Sequence, residues 1–122
     1  MIKERPGTDG EWSSQLRRGV LEMCILAIIE RAPSYGYEIV TELGDAPQLA
    51  AGEGTVYPLL RRLKKDGLVE TFWQESAAGP PRQYYRITPR GDGALATMRS
   101  AWKELLGAMA KYGQKAGIGG VS

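Results

Sequence analysis

Four cations stand within five positions at Arg61-Arg62-Leu63-Lys64-Lys65, and two more, Arg82 and Arg86, bracket Gln83-Tyr84-Tyr85 further along the chain. Guanidinium and ammonium groups at this density suit phosphate, and arginine also matches the paired acceptors on the major-groove edge of guanine. Placed on a helix, the segment divides into faces. Val56, Leu60 and Leu63 point inward, Tyr57, Arg61 and Lys64 form the adjacent stripe at i, i+4 and i+7, and Pro58, Arg62 and Lys65 lie further round. Thr55 and Tyr57, near the start of that helix, are set to meet base edges or phosphates first. Tyr57 has a second reading, as a half-buried prop for whatever packs beside the helix. A basic run is also what an ordinary solvated helix face looks like, so nucleic-acid binding requires a second element next to it.

Other chemistry has few residues to use. The 122 residues contain no histidine, which removes the usual general base near neutral pH, the usual metal ligand and every Ser-His or Cys-His pair. The single cysteine, Cys24, lies in an apolar run and reads as a buried structural thiol; alone it forms neither an internal disulfide nor a cysteine-rich zinc site. The carboxylates show no clustered ligand spacing. We therefore expect no enzyme, no metal and no cofactor. The most apolar stretch, VLEMCILAII at 20–29, is ten residues long and holds Glu22, against the roughly 20 residues of a membrane span. No membrane partner and a cytoplasmic location are the expectation.

The elements that must position the cations follow from periodicity. Residues 1–12 show no pattern and read as a flexible arm. Leu16, Val20, Met23 and Ala27 recur at helical spacing, with Cys24, Ile25 and Ile28 widening the stripe, so a first helix over about 14–31 is expected, its second half buried and Pro33 stopping it. Tyr35-Gly36-Tyr37 opens a shorter helix with Ile39, Val40 and Leu43 on its apolar side and Gly44 at its end. A loop over 45–52 leads to the basic helix, which starts near 53–55, tolerates Pro58 in its first turns and closes at Asp66-Gly67. Aromatic and β-branched residues then dominate 68–75 and 82–87, two strands of an antiparallel hairpin joined by a loop at Ala77-Ala78-Gly79-Pro80-Pro81. Thr88-Pro89 caps a long last helix, and residues 113–122, with four glycines, read as a flexible tail.

Helix, helix, basic helix and hairpin make a winged helix-turn-helix. The fold class expected is mainly α with a small antiparallel β-hairpin, divided into a winged-helix domain over 13–88 and a dimerisation helix over 89–112. Local charge agrees: residues 20–52 carry five acidic groups against one arginine, a net −4, whereas 53–90 carry seven basic against four acidic, a net +3. The total of +2 thus hides an acidic body beside a basic helix and wing.

Four motifs then resemble the PadR-like transcriptional regulators: Tyr-Gly-Tyr-Glu-Ile at 35–39, Glu-Gly-Thr-Val-Tyr-Pro at 53–58, Leu-x-Arg-Leu-x-x-x-Gly-Leu-Val from Leu60 to Val69, and Gly-Pro-Pro-Arg-Gln-Tyr-Tyr-Arg-Ile-Thr at 79–88. The resemblance spans about residues 16–106, and the single short last helix is similar to the family's smaller branch. It implies a dimeric winged-helix repressor acting on double-stranded DNA. It also implies that Tyr37, Thr55, Tyr57, Pro58, Arg61 and the wing residues Gly79, Pro80 and Arg82 approach the duplex. One departure is the loop before the basic helix, where Gly52 stands in place of a Ser, Asp or Asn cap.

The last helix carries the most regular pattern: Leu95, Met98, Trp102, Leu105, Met109 and Tyr112 are spaced 3, 4, 3, 4, 3. That is an a/d seam, and it asks for a partner. We expect a two-fold homodimer, which sets two recognition helices about 34 Å apart on a pseudo-palindromic operator; packing on the first helix of the same chain alone is the other reading. Trp102 in mid-seam either fills a core or, with its mate, flanks a central pocket where a small planar aromatic effector stacks beside Met98. A winged helix used for protein interaction without DNA readout is the alternative function.

Overall fold

The computed structural model describes residues 9–113, with side-chain detail from residue 14. Helix α1 spans Asp9–Arg31, β1 Ser34–Tyr35, α2 Gly36–Leu43, a 3-10 turn Pro47–Leu49, α3 Glu53–Lys65, β2 Val69–Ser76, β3 Gly79–Ile87 and α4 Pro89–Met109. The core forms where the apolar faces of these elements meet. Ile25, Leu26 and Ile29 from α1, Ile39 from α2, Val56, Leu60 and Leu63 from α3 and Leu95 from α4 are essentially without solvent contact. Burial of each such side chain contributes roughly 1.5–3 kcal/mol.

Three expectations are corrected. First, α1 begins at Asp9, inside the stretch read as an arm over 1–12. Helical hydrogen bonding continues N-terminal to the apolar stripe, and periodicity marks only the buried part of a helix. Residues 1–8 and 114–122, the rest of the expected arm and nearly all of the expected tail, lie outside the described residues. Second, the sheet has three strands in the order β1-β3-β2, because Ser34 pairs with Tyr85 and Tyr35 with Tyr84. A two-residue strand carries no alternation, so Tyr35 reads as a helix start instead. Third, Gly79, Pro80 and Pro81 belong to β3, and the hairpin loop is only Ala77-Ala78. The pairing slips by one residue between Gln74–Arg82 and Ser76–Gly79, giving a bulge that takes up the extra residue of the Pro-Pro step. Proline has no N–H for a ladder, and β1 does not reach this end of β3, so the proline side of the strand stays open. Gly79, at φ +137°, supplies the left-handed backbone at the turn.

The end of α3 fixes the wing. Gly67 adopts φ +77°, its N–H bonds to the Lys64 carbonyl at 3.0 Å, and the Leu68 N–H bonds to the Leu63 carbonyl at 2.9 Å. This is a Schellman stop, which only glycine enters without strain. The Thr88 hydroxyl donates to the Gly67 carbonyl at 2.7 Å and accepts from the Gly91 N–H at 3.0 Å, capping α4. Arg90 Nε donates to the Asp66 carbonyl at 3.0 Å. The first turn of α4 is thereby clamped to the α3–β2 corner. α2 ends on Gly44 as expected, but in ordinary right-handed conformation at φ −66°.

Candidate nucleic-acid interface

The outward face of α3 carries Thr55, Pro58, Arg61, Arg62, Lys64 and Lys65, all exposed. Their electrostatic situations differ. Arg62 Nη1 lies 3.2 Å from Glu22 Oε2 on α1, so its charge is compensated and directed sideways. Arg86 is paired with Glu70 at 3.0 Å and lies over the Phe72 ring at 4.5 Å. Among the described residues no salt bridge engages Arg61, Lys64, Lys65 or Arg82. On α3 and the wing, these four are the cations left to meet an external anion. Sequence reasoning grouped Arg62 with them, and its partner Glu22 is 40 positions away, where no spacing rule reaches.

The wing brings Arg82 beside α3. Its guanidinium sits 4.4 Å over the Tyr35 ring, and Tyr35 packs edge-on against Tyr84 at 5.3 Å, which in turn stacks on Phe72 at 5.6 Å. Cation–π contact positions the guanidinium while leaving its donors free. Tyr35, Tyr57, Trp73, Arg82, Gln83 and Tyr85 line a cleft of about 230 Å³ between α3 and the wing. Trp73, exposed by 67%, is a site residue that the sequence reading did not single out; an aromatic in a strand ordinarily signals core, and only the length of β2 beyond the body shows otherwise.

Tyr57 takes the middle of its two readings. It is half-buried, and its ring covers Gly36 so closely that a Cβ at that glycine would overlap the ring carbons and hydroxyl. Burial, aided by the charge of Glu53, pushes its phenol above the ordinary value. Burial also raises the Tyr85 phenol, with Tyr57 adding to the shift and Arg61 opposing it. Both hydroxyls therefore remain protonated donors at neutral pH. Gly36→Ala is expected to swing the Tyr57 ring out of the cleft at little cost in stability, because the ring is the mobile end of a side chain. Raised solvent quenching of tyrosine fluorescence and weakened duplex binding are the readouts; a ring unmoved in the variant's crystal structure contradicts the packing described.

Tyr37 is exposed on the first turn of α2, and Gly79 and Pro80 are exposed at the wing tip. The expected cap weakness of α3 is real: Gly52 makes no side-chain cap bond, and its carbonyl alone receives the Thr55 and Val56 N–H groups, each at 3.0 Å. Cys24 is half-buried and burial raises its thiol pKa, so it stays protonated and poorly nucleophilic. Among the described residues no three of His, Cys, Asp or Glu gather as a metal site, and no helix is long and apolar enough to cross a membrane.

The α4 seam divides in two. Leu95, expected to face a partner, is fully buried in the core of its own chain, and Met98 is half-buried against that core. Beyond them the seam runs off the body. Trp102 is 43% exposed, Leu105 57% and Met109 58%, and Leu106 and Tyr112 beside them are also exposed. An apolar groove of about 380 Å³ opens between α1 and α4, with Leu16, Val20, Met23, Met98, Trp102 and Leu105 along its walls. Leu16 and Leu106 belong to this surface although the heptad count omitted them.

The sequence and the fold have relatives among known proteins. The family model for PadR-like transcriptional regulators matches residues 25–97, from mid-α1 to α4. A curated Lysinibacillus sphaericus protein of uncharacterised function is 33% identical over 94 residues, 75% of this chain and 86% of that protein. Transcriptional regulator Rv3488 of Mycobacterium tuberculosis is 46% identical over 52 residues, 43% of this chain and 48% of its own. Among solved structures, a PadR-like transcriptional regulator from Bacillus cereus superposes with a TM-score of 0.74 at 38% identity, covering 83% of this chain and 98% of that one. A PadR family regulator from Eggerthella lenta gives 0.74 at 36%, covering 82% and 87%. With the winged-helix body, the free cations on α3 and the family match in agreement, this chain belongs to the PadR-like family of transcriptional regulators, proteins that regulate through DNA and are not enzymes.

Proposed function

We propose that the protein is a homodimeric repressor that reads a pseudo-palindromic operator with two copies of α3 and is released by a small planar aromatic ligand at the dimer centre. The observation that carries the DNA reading is the set of four uncompensated cations, Arg61, Lys64 and Lys65 on α3 and Arg82 on the wing, on one exposed surface. Thr55, Pro58 and Arg61 enter the major groove first, Tyr37, Lys64 and Lys65 contact phosphates, and Gly79, Pro80 and Arg82 follow the wing along the backbone. Tyr57 and Arg62 serve by holding the wing cleft and the α1–α3 contact. Gel shift with fragments of the protein's own promoter region tests this. Lys65→Ala is expected to weaken specific and unrelated duplexes alike and to lower the slope of log K against log salt by about 1. Loss confined to one sequence would instead make Lys65 a base reader.

The dimer is supported by the exposed apolar end of α4, which a chain alone leaves in water. The effector is supported by the groove beside Trp102 and Met98, where an indole face and a polarizable thioether suit a flat apolar molecule. Such a ligand acts by favouring one separation of the recognition helices over another. Titration with planar hydrophobic dyes is expected to quench Trp102 and to release DNA, and Trp102→Ala to lose the ligand. Equal ligand affinity in the variant refutes the pocket.

A further inference from the structure

The recognition helix has a second basic flank that the motifs do not mark. On α3 the outermost ridge is Pro58, Arg61 and Lys65; the wing cleft lies on the Tyr57 side and α1 on the Thr55–Arg62 side. There a concavity of about 380 Å³ is walled by Ser14, Arg17 and Arg18 of α1 and by Gly54, Thr55 and Arg62 of α3. Among the described residues, three guanidiniums line it and no carboxylate does. Glu22, on α1, lies 3.2 Å from Arg62 as an ion pair, and its Oε2, like Arg17 Nε, is shielded from solvent with no hydrogen-bond partner among the described residues. Arg17 Nε is shielded from solvent with no acceptor, and its Nη1 reaches only the Ala50 carbonyl at a long 3.5 Å. A guanidinium with an N–H lacking an acceptor, beside Arg18 and the hydroxyls of Ser14 and Thr55, has the donor set that tetrahedral phosphate oxygens satisfy.

We infer that Arg17 and Arg18 hold a phosphodiester of the duplex backbone, so that the DNA interface extends from the wing across α3 to α1. The inference rests on the reading of α3 as the DNA-facing helix. Arg82 and the Arg17–Arg18 pair straddle the ridge that enters the groove, one basic group on each side, which fixes the tilt of α3 as well as adding affinity. Neither arginine lines the groove beside Trp102.

The test is the salt dependence of duplex binding, followed by fluorescence anisotropy for the parent, Arg18→Gln, Arg17→Gln/Arg18→Gln and Arg17→Lys. Arg18 is exposed and Arg18→Gln leaves the melting temperature unchanged, whereas its slope of log K against log salt is shallower than the parent's by about 1. The double variant loses up to about twice that, equally on operator and unrelated duplex, and Arg17→Lys retains the parent's slope. A parent that binds duplex with the same slope as the double variant overturns the inference and leaves the α3 reading intact. A parent that binds no duplex overturns both. Reduced affinity at an unchanged slope assigns Arg17 to holding the fold and also overturns it. So does an unchanged slope accompanied by stabilisation of the parent, but not the double variant, by inorganic phosphate at matched ionic strength, which makes the concavity a free-anion site.

Discussion

Replacing Leu105 and Met109 together by glutamate is expected to convert the dimer to a monomer and to weaken operator binding at least about a hundredfold, the scale on which linked half-sites gain over single ones. Both side chains are more than half exposed in the single chain, so the variant keeps its core and its melting temperature stays near that of the isolated parent chain. In the proposed dimer the same positions are buried against a second copy. A carboxylate carried into such an interface loses its hydration without gaining a partner, which costs several kcal/mol per charge. With two substitutions in each of two copies, association fails at micromolar concentration. The monomer still presents α3 and the wing, so it retains weak, salt-sensitive binding to any duplex. Sedimentation and gel shift check both parts. A variant that remains dimeric places the interface elsewhere, and a monomer with full operator affinity removes the dimer from the recognition mechanism.

The second large effect is structural. Gly91, buried in the first turn of α4, lies directly under the α3–β2 corner: a Cβ there would collide with the Leu68 carbonyl oxygen and come within 2.7 Å of Ile87 Cγ1. Backbone cannot step aside as a side-chain end can. Gly91→Ala therefore costs about 1–3 kcal/mol, the range for overpacking, and at roughly 4–8 °C per kcal/mol for a domain near this size the melting temperature falls visibly. It also pries α4 from the wing, since Thr88, Gly67 and Arg90 share that corner. Gly93, two residues on in the same helix, has open space where a Cβ would stand. Gly93→Ala is expected to be neutral or to stabilise by up to about 1 kcal/mol through helix propensity. Thermal melts of the two variants should thus move in opposite directions or differ sharply; equal shifts contradict the clamp.

The parts of the fold legible in the sequence are those with a repeating physical cause. The buried half of α1, the faces of α3 and the Thr88 cap all follow from periodicity or from a cap's hydrogen-bonding chemistry. The misses have causes of the opposite kind. β1 is two residues long and exists only because Tyr84 and Tyr85 offer it a ladder. Pro80 and Pro81 read as loop because proline cannot serve a ladder, yet a bulge and an open edge admit them. Leu95 keeps the heptad spacing of Trp102 and Leu105 but falls over the core, and spacing alone does not say where a helix leaves the body. At the interface, residue type found the cations but not which of them are already compensated. Arg62 and Arg86 are withdrawn by Glu22 and Glu70, partners supplied by tertiary packing and strand register.

Reading of one duplex by two copies of α3 is open to direct measurement. It is tested most directly by anisotropy titration of duplex tiles covering the protein's own promoter region, at several salt concentrations, with stoichiometry read at saturation. One tile containing an inverted repeat is expected to bind far more tightly than the rest. It takes up two protomers together, and its affinity falls steeply with salt in proportion to the phosphates contacted. Absence of binding to every tile at low salt, or saturation by a single protomer, contradicts it.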